Sequence, residues 1–436
     1  MKNTKYKQTE IGEIPEDWSL ELIGHLPIGI GDGNYSSKYP KKDELLDKGV
    51  PFISGKDIKD GRIVEDGIRY ISEAQHNTLL KGHIKYRDVL LVTRADIGVV
   101  GYVDKKYEGS NINAQLVYLR SDDKLLNPEY LFYLLSSGEY KNVLRSYSSG
   151  SAQSQLPIKS LLKVPIKFPH HKQQQQIASI LSSLDDKIEL NRKMNKTLEE
   201  MGKALFKRWF VDFEFPNENG KPYKSSGGEM VESELGMIPK GWEVGVLDNI
   251  TEIKNGFAFK SEDYTDNGVF LLRTRNFTQS GYVVKDEVIY LPEPFYEEYS
   301  NYQLRQFDVL LVMVGASVGS LGFVTSNALP ALQNQNMWNF RARDPKNQLY
   351  IKLLVEKLVK QNIGSASGSA RDFFRKDFFR TIRFVCPKVQ ILNTFNEIVL
   401  PIFQELDKNL AEIDSLAQLR DSLLPRLMSG KLRVKN

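Results

Sequence analysis

The chain has 436 residues, enough for two or three domains, and its 59 Lys and Arg against 55 Asp and Glu leave a net charge of +4. That balance excludes a strongly basic tail protein but allows a local basic groove, and the single cysteine excludes a disulfide framework or a cysteine-based zinc site. The N-terminus lacks the apolar stretch of a signal peptide, and no apolar run could span a membrane, so we expect a cytoplasmic protein.

The first half of the chain is predicted to be a β-rich block followed by a long helix. Residues 11–170 alternate short β-branched and aromatic runs with Gly, Asn and Asp, which is typical of strands and turns. Val50–Ser54 and Asp88–Val92 are predicted strands, and Pro128–Arg145 is a predicted short helix. The long helix is indicated by residues at alternating spacings of four and three, namely Ile177, Leu181, Leu184, Ile188, Asn191, Asn195, Leu198 and Leu205.

The second half repeats this order about 220 residues later, which indicates a tandem duplication. The recurring landmarks are Ile11–Trp18 with Leu235–Trp242, Asp88–Val92 with Asp308–Val312, Gly98–Val103 with Gly319–Val324, and Ser149–Ala152 with Ser367–Ala370. Residues 215–228 have the Pro, Gly and Ser content of a linker between the halves. Gly268–Arg273 is a predicted strand of the second half, and Leu349–Asn362 is a predicted helix.

A second long helix closes the chain. Its spacing pattern is carried by Phe395, Val399, Ile402, Leu406, Asn409, Ile413, Leu416 and Leu423. Asn191 and Asn409 fall at the same heptad position, and a polar seam residue fixes alignment at a cost in stability. The pattern therefore predicts a paired coiled coil, the alternative being two core helices with a stray Asn each. We expect this helix to end at Leu424, before Pro425.

These elements predict an α+β fold with pseudo-two-fold tandem symmetry. Two β-rich domains, 1–172 and 215–390 (the latter including the linker), are separated by two long antiparallel coiled-coil helices, 173–214 and 391–436. A helix of about 35 residues is about 50 Å long, so such a pair could hold two modules more than one turn of B-DNA apart. Because the halves have diverged, the architecture suits a split, asymmetric DNA target.

Known catalytic constellations are missing from the sequence. Gly49–Asp57 has the wrong glycine spacing for a phosphate loop and places Asp where Ser or Thr is needed. There is no HExxH pair and no G-x-S-x-G nucleophile elbow. Cys386 lies in an apolar stretch that favours packing over reactivity. We therefore expect a binding protein, with no metal and no catalytic residue of its own.

The side chains predicted to contact DNA lie in loops at matching places of the two halves. Arg can pair bidentately with guanine and Asn with adenine, while hydroxyls, amides and lysines suit phosphates. The set comprises Asn34, Tyr35, Lys38, Lys56, Arg94, Asn113, Gln115, Ser151 and Gln153 in the first half, and Lys254, Asn255, Lys260, Arg273, Arg275, Asn276, Gln335, Ser369 and Arg371 in the second. For each residue the alternative is an ordinary solvated loop or turn.

Several motifs together resemble one family over essentially the whole chain. An [Ile/Leu]-Gly-x-Ile-Pro-x-x-Trp pattern opens each half, and Gly150–Leu156 precedes a Gln-rich helix start at Pro169–Ile177. Leu205–Phe213 and Leu423–Lys431 close the two helices. This combination resembles the specificity subunit of type I restriction-modification systems. The second half departs from the pattern, since Phe374 stands where the Leu of the Gly-Ser motif is expected and Lys388-Val-Gln390 keeps one Gln.

The resemblance implies a DNA sequence-specificity subunit with two target-recognition domains, each reading half of a bipartite target. The helices would set the spacer and dock two modification (methyltransferase) subunits and the restriction (motor-nuclease) subunits. Those partners would act as a DNA adenine methyltransferase and an ATP-dependent endonuclease. They would also carry S-adenosylmethionine, ATP and Mg²⁺, leaving this chain without a bound cofactor.

Contacts with those partners are predicted near the helix ends, at Phe206, Trp209, Phe210, Phe213, Leu423 and Leu427. The alternative is that these side chains pack against the recognition domains. A competing function is a non-DNA coiled-coil scaffold whose duplicated modules bind protein, and the small net charge is its best support.

Overall fold

The computed structural model describes residues 5–33, 38–150, 154–278, 280–285, 287–315, 317–362 and 375–434. The chain divides into two compact units, residues 1–187 with 416–436 and residues 188–415. Each unit holds one β-rich domain and segments of both long helices. These units differ from the predicted domains because each long helix contributes packing surface to both of them.

The first unit is built from short strands and helices. Its strands are β1 Tyr6–Thr9, β2 Gly12–Pro15, β3 Ser19–Leu22, β4 Ile28–Asp32, β5 Val50–Ile53, β6 Ile58–Lys59, β7 Arg62–Ile63, β8 Arg69–Ile71, β9 Val89–Val92, β10 Val100–Tyr102, β11 Asn111–Ile112, β12 Leu116–Ser121 and β13 Pro165–Phe168. Its helices are α1 Glu73–Thr78, α2 Pro128–Ser136, α3 Gly138–Ser146 and α4 Ile158–Leu161. The first long helix, α5 His171–Phe210, begins in this unit, and its residues from 188 onward belong to the second unit. The main sheet has the order β4-β12-β9-β10-β7-β6, beside a smaller sheet β11-β5-β8.

The second unit repeats this plan, with fewer strands among the residues that the structure describes. They are β14 Met230–Ser233, β15 Gly236–Pro239, β16 Glu243–Val246, β17 Thr251–Asn255, β18 Val269–Leu272, β19 Tyr290–Leu291, β20 Val309–Val312, β21 Leu321–Phe323, β22 Ala331–Gln333, β23 Met337–Ala342 and β24 Arg383–Cys386. The helices are α6 Phe295–Glu298, α7 Gln348–Asn362 and α8 Lys376–Thr381. The second long helix, α9 Val389–Met428, begins in this unit, and its residues from 416 onward belong to the first unit. Its sheets have the orders β17-β23-β20-β21 and β19-β18-β22.

The repeated Val-Leu-Leu-Val sequence forms the central strand of each main sheet. All four residues of β9 and all four of β20 are buried, as a continuous apolar run predicts. The predicted strands are confirmed, but the predicted helix over 128–145 is two helices. It breaks at Ser137, whose hydroxyl accepts the Tyr140 N–H at 3.3 Å and so caps α3.

The two long helices pair antiparallel within the second unit. Asn191 Nδ2 donates to Glu412 Oε2 at 2.7 Å, and Asn409 Nδ2 donates to Asn195 Oδ1 at 2.9 Å. Residue numbers thus rise along one helix as they fall along its partner. Asn409 faces Asn195 rather than Asn191 because equivalent heptad positions do not lie opposite each other in this antiparallel pair.

The predicted end of the second helix at Leu424 is wrong, since α9 continues through Pro425 to Met428. A proline removes one backbone N–H donor and so costs a helical hydrogen bond. Leu427 and Met428 are buried in the core of the first unit, at 1% and 0% exposure. Burial of these two side chains offsets that cost and keeps the last turn helical.

Candidate nucleic-acid interface

A buried carboxylate fixes the start of the central strand in both units. In the first unit Asp88 accepts the Arg120 Nε–H at 2.7 Å and the Lys85 backbone N–H at 2.7 Å. In the second, Asp308 accepts the Arg341 Nε–H at 2.9 Å and the Asn339 Nδ2–H at 2.8 Å. Each Asp directly precedes the central strand and ties it to its neighbour, at the end of the strand opposite to Val92 or Val312. The Asp that begins both repeated Asp-Val-Leu-Leu-Val segments was the available sequence signal for this framework.

Three strand ends of the first unit meet at one edge. β5 and β11 run parallel, with Ile53 opposite Ile112, so the residues that follow them emerge side by side. The end of β9 lies there too, since a Cβ at Gly55 would stand 3.1 Å from Val92 Cγ2. Lys56, Arg94 and Gln115 follow these strands, so the structure brings together three of the predicted DNA-contacting residues.

A short 3₁₀ turn presents one exposed cation after β5 and after its equivalent, β18. The turns are Gly55–Asp57 and Thr274–Asn276. Asp57 Oδ2 accepts the Ser54 N–H at 2.8 Å, and Asn276 Oδ1 accepts the Arg273 N–H at 2.9 Å. Asn276 is fully buried, so its predicted role in reading adenine is wrong: the side chain closes the turn. Lys56 and Arg275 occupy the same middle position, and both are exposed.

Asn113 is also a structural residue. Its side chain is 8% exposed, and its Oδ1 accepts the Gln115 backbone N–H at 3.0 Å. Its Nδ2 donates to Gln115 Oε1 at 3.3 Å. The prediction that Asn113 contacts DNA directly is therefore wrong, because both polar atoms of the side chain bond within the turn. In the same turn, the side chain of Gln115 is exposed.

The second unit gathers a different set of groups at the equivalent edge. β18 and β22 run parallel, with Leu272 opposite Gln333, and the Gln335 N–H donates to the Phe257 carbonyl at 2.9 Å. Asn255 at the end of β17 accepts a hydrogen bond from Lys376 Nζ at 3.4 Å. Lys376 was missed from the sequence because it belongs to α8, far along the chain. Burial, together with the nearby charge of Arg380, lowers the pKa of Lys376, and an added phosphate would oppose that shift.

A glycine lets two loops touch at this edge in both units. A Cβ at Gly33 would stand 2.2 Å from the Asn113 carbonyl oxygen, and one at Gly256 would stand 1.8 Å from the Asn334 carbonyl oxygen. No other residue fits such an approach without moving the backbone. The glycines therefore hold the loop after β4, or after β17, against the loop that follows the parallel strand.

Other predicted basic residues of the second unit carry intramolecular partners. Lys254 lies 3.5 Å from Glu252 and Lys260 lies 3.1 Å from Glu262. Arg275 Nη1 lies 2.8 Å from Glu287 Oε2, with both side chains mostly exposed. Exposed pairs of this kind contribute little, so these cations can exchange their partners for a phosphate. Burial, then the charge of Arg275, lowers the pKa of Arg273.

Two further groups of predictions have plain outcomes. Lys38 is exposed, near the start of a loop in the first unit. The predictions at Asn34, Tyr35, Ser151, Gln153, Ser369 and Arg371 lie outside the described residues.

The residues predicted to dock partners are largely used inside the units. Phe206, Trp209 and Phe210 are each 5% exposed in the core of the second unit, where Phe210 packs edge-on against Phe395 at 4.8 Å. Phe213 packs against Trp242 at 5.7 Å in the same unit. Leu427 is buried and Leu423 half-buried in the first unit. As docking contacts, Phe206, Trp209, Phe210 and Leu427 are wrong, because burial leaves them no free surface.

The described residues contain no cluster of His, Cys, Asp and Glu that could hold a metal ion. Within the same residues, no helix combines the length and apolarity needed to cross a membrane.

Comparison with known proteins identifies the family. A family model described as the type I restriction modification DNA specificity domain matches residues 33–200 and 239–420. The MjaIX specificity subunit of Methanocaldococcus jannaschii is 28% identical over 451 aligned residues, covering 99% of this chain and 97% of that protein. The HindI specificity subunit of Haemophilus influenzae is 23% identical, covering 95% and 100%.

A solved structure shares the fold. The crystal structure of the type I restriction-modification S subunit from M. genitalium aligns with a TM-score of 0.58 at 15% identity, covering 98% of this chain and 97% of that one. The chain therefore belongs to the family of type I restriction-modification DNA specificity subunits. Members of this class are non-catalytic components of a DNA-modifying complex.

Proposed function

We propose that the chain reads an asymmetric, two-part DNA target, one half with each β-rich domain. The observation that carries the proposal is the convergence of cationic and amide side chains at one strand-end edge in each unit, where Arg94 and Lys376 are half-buried and the other side chains are exposed. Lys56, Arg94 and Gln115 form the first edge, and Asn255, Arg275, Gln335 and Lys376 form the second. Because the two edges carry different groups on one framework, they suit two different base sequences.

The side chains divide by chemistry into base-reading and phosphate-binding groups. Arg275 can pair bidentately with guanine, whereas the Gln115, Asn255 and Gln335 amides suit adenine. Lys56 and Lys376 suit phosphates, which position the protein without specifying sequence. Phosphate neutralisation by these lysines would make the affinity fall as salt rises.

We further propose that α5 and α9 set the gap between the half-sites and dock two modification subunits and the restriction subunits. A suitable surface on α5 is formed by Leu190, Met194 and Met201, which are 52%, 36% and 50% exposed. Their spacings of four and seven place them on one helix face. Cytoplasmic assembly would leave the methyl transfer to adenine and the ATP-dependent cleavage to these partners, with S-adenosylmethionine, ATP and Mg²⁺ bound there.

The test is to map methylated positions in DNA modified by the reconstituted complex. Exchange of residues 1–170 for the corresponding segment of another specificity subunit should change only one half of the target. Insertion of one heptad into each long helix should lengthen the gap and preserve both halves. Changes scrambled over both halves would overturn the modular proposal. Absence of salt-dependent DNA affinity would favour a protein-binding scaffold instead.

A further inference from the structure

The loop after α1 presents one leucine to solvent. Leu80 is 87% exposed, whereas its neighbour Leu79 is 2% exposed and packs in a core of the first unit. Among the large apolar side chains that the structure describes, Leu80 is the most exposed. Single apolar side chains are common on protein surfaces, so it is the position of Leu80 that distinguishes it.

Hydrogen bonds hold this loop against β11. The Ile112 N–H donates to the Gly82 carbonyl at 2.9 Å, and Asn111 Nδ2 donates to the Lys81 carbonyl at 3.4 Å. The backbone is therefore fixed directly after Leu80, which keeps this side chain at a defined place.

The same loop borders the strand-end edge of the first unit. A Cβ at Gly82 would stand 3.1 Å from Gly33 Cα, and one at Gly33 would stand 2.2 Å from the Asn113 carbonyl oxygen. Gln115, one of the exposed side chains of this edge, follows Asn113 by two residues. Leu80 thus stands beside the side chains that are proposed to contact DNA.

The matching loop of the second half carries a hydroxyl instead. Residues 71–92 align without a gap with residues 291–312, which places Ser300 where the first half has Leu80. Ser300 is also exposed. One framework position therefore presents an apolar side chain in one half and a polar side chain in the other, so the two halves favour different contacts there.

A leucine on a DNA-reading surface has a specific counterpart in the major groove. Of the four standard bases, only thymine presents a methyl group there, at C5. Contact between the two apolar groups removes both from water, which stabilises the complex. A phosphate or a hydrogen-bonding base edge would gain no comparable contact, because a leucine side chain neither donates nor accepts hydrogen bonds.

We propose that Leu80 contacts the methyl group of a thymine in the half-site that the first β-rich domain reads. This inference rests on the proposed function, because it requires the strand-end edge to face DNA. Gln115 and the neighbouring cations would supply the hydrogen bonds of that edge, and Leu80 would supply its apolar contact. The first half-site therefore contains a thymine whose methyl group adds to the affinity.

The experiment compares thymine with uracil, which lacks only the 5-methyl group. Each thymine of the mapped first half-site is replaced in turn, and the DNA affinity of the complex reconstituted with the modification subunits is measured. We expect one replacement to weaken binding by the natural chain about fourfold, consistent with the loss of one buried methyl group. Leu80→Ala should bind the thymine and uracil duplexes equally, at least as weakly as the natural chain binds the uracil duplex. The variant should keep the fold, because the side chain is exposed.

Leu125→Ala is the matched control, since Leu125 is 43% exposed in the same domain but follows the end of β12 opposite to the strand-end edge. It should keep the difference between thymine and uracil. A first half-site without thymine on either strand, or no replacement that weakens binding by the natural chain, would overturn the proposal. Equal sensitivity to uracil in Leu80→Ala and the natural chain would also overturn it, even with weaker binding overall, as loss of an apolar wedge between base steps would cause. These outcomes would leave the two-part target map intact, whereas a natural chain without a two-part target would contradict the proposed function itself.

Discussion

The two β-rich domains share a framework and differ in what the framework presents. Asp88 and Asp308 fix the same strand, and Gly33 and Gly256 permit the same loop contact. At the exposed positions, Lys56 in one domain stands where the other has Arg275. The difference teaches that buried groups hold the geometry of the edge while exposed groups can vary, because a solvated side chain has few neighbours to disturb.

Two clefts extend the same contrast away from the strand ends. In the first unit, Arg420 pairs with Asp185 at 2.8 Å on the lining of a cleft of about 260 Å³. The second unit has a larger cleft of about 720 Å³, which Lys357 and Lys360 line. Divergence after duplication has therefore changed the reading edge and the cleft, yet it has kept the core strands.

The framework itself can be broken most severely in the second unit. Asp308→Ala should destabilise that unit by about 3–5 kcal/mol, because it leaves the Arg341 charge buried and unpaired. Asp88→Ala should cost less, since the Arg120 side chain is 30% exposed against 10% for Arg341. Hydrogen exchange of β20 and β9 during urea unfolding measures each unit separately. Equal losses would mean that exposure of the arginine does not decide the cost.

The loop contact gives the next largest effect. Gly256→Ala should lower the free energy of unfolding of the second unit by about 3 kcal/mol, because the new Cβ would meet a carbonyl oxygen and force the backbone apart. Gly33→Ala is the matched change in the first unit. Its added Cβ would stand 2.2 Å from the Asn113 carbonyl oxygen, whereas the Cβ added at Gly256 would stand 1.8 Å from the Asn334 carbonyl oxygen. Urea midpoints of the two variants check the order. A neutral Gly256→Ala variant would show that the loops can separate freely.

Substitutions at the proposed DNA-contacting positions should separate the two halves functionally. Arg275→Ala should cost about 1–3 kcal/mol in specific DNA binding and relax one half of the target. Lys56→Ala should act on the other half, with a smaller effect if the lysine contacts only phosphate. Methylation mapping and DNA affinity at several salt concentrations distinguish these results. A change in both halves from either substitution would contradict the separation of the two edges.

Acid stability gives the smallest effect. Burial raises the pKa of Glu199, but the charges of Lys352 and Lys203 lower it more, so its interactions add stability above the ordinary value of 4.5. That stability is lost as the pH falls through the lowered pKa. Glu199→Gln should remove this part of the pH dependence of the free energy of unfolding of the second unit. The loss should be less than about 1 kcal/mol, because Lys352 still forms its ion pair with Glu356. An unchanged acid limb in urea unfolding from pH 5 to pH 3 would contradict it.

The local patterns of the sequence predicted the elements of the fold. Continuous apolar runs specify β9 and β20, and spacings of four and three specify the two long helices, because these periods follow from backbone geometry alone. The repeated landmarks showed the duplication for the same reason: similar residues at similar spacing form similar elements. The strand-end positions of Lys56 and Arg275 were accessible in this way.

The roles of individual side chains depended on contacts between distant segments. Asn276 was predicted to contact DNA and Phe210 to dock a partner, but one closes a turn and the other fills a core. Lys376 reaches Asn255 only because α8 packs beside the end of β17. The amino-acid order thus determined the elements and their repetition, through local backbone preferences. Tertiary structure decided which polar and aromatic side chains remain exposed, because burial is set by neighbours that lie far apart along the chain.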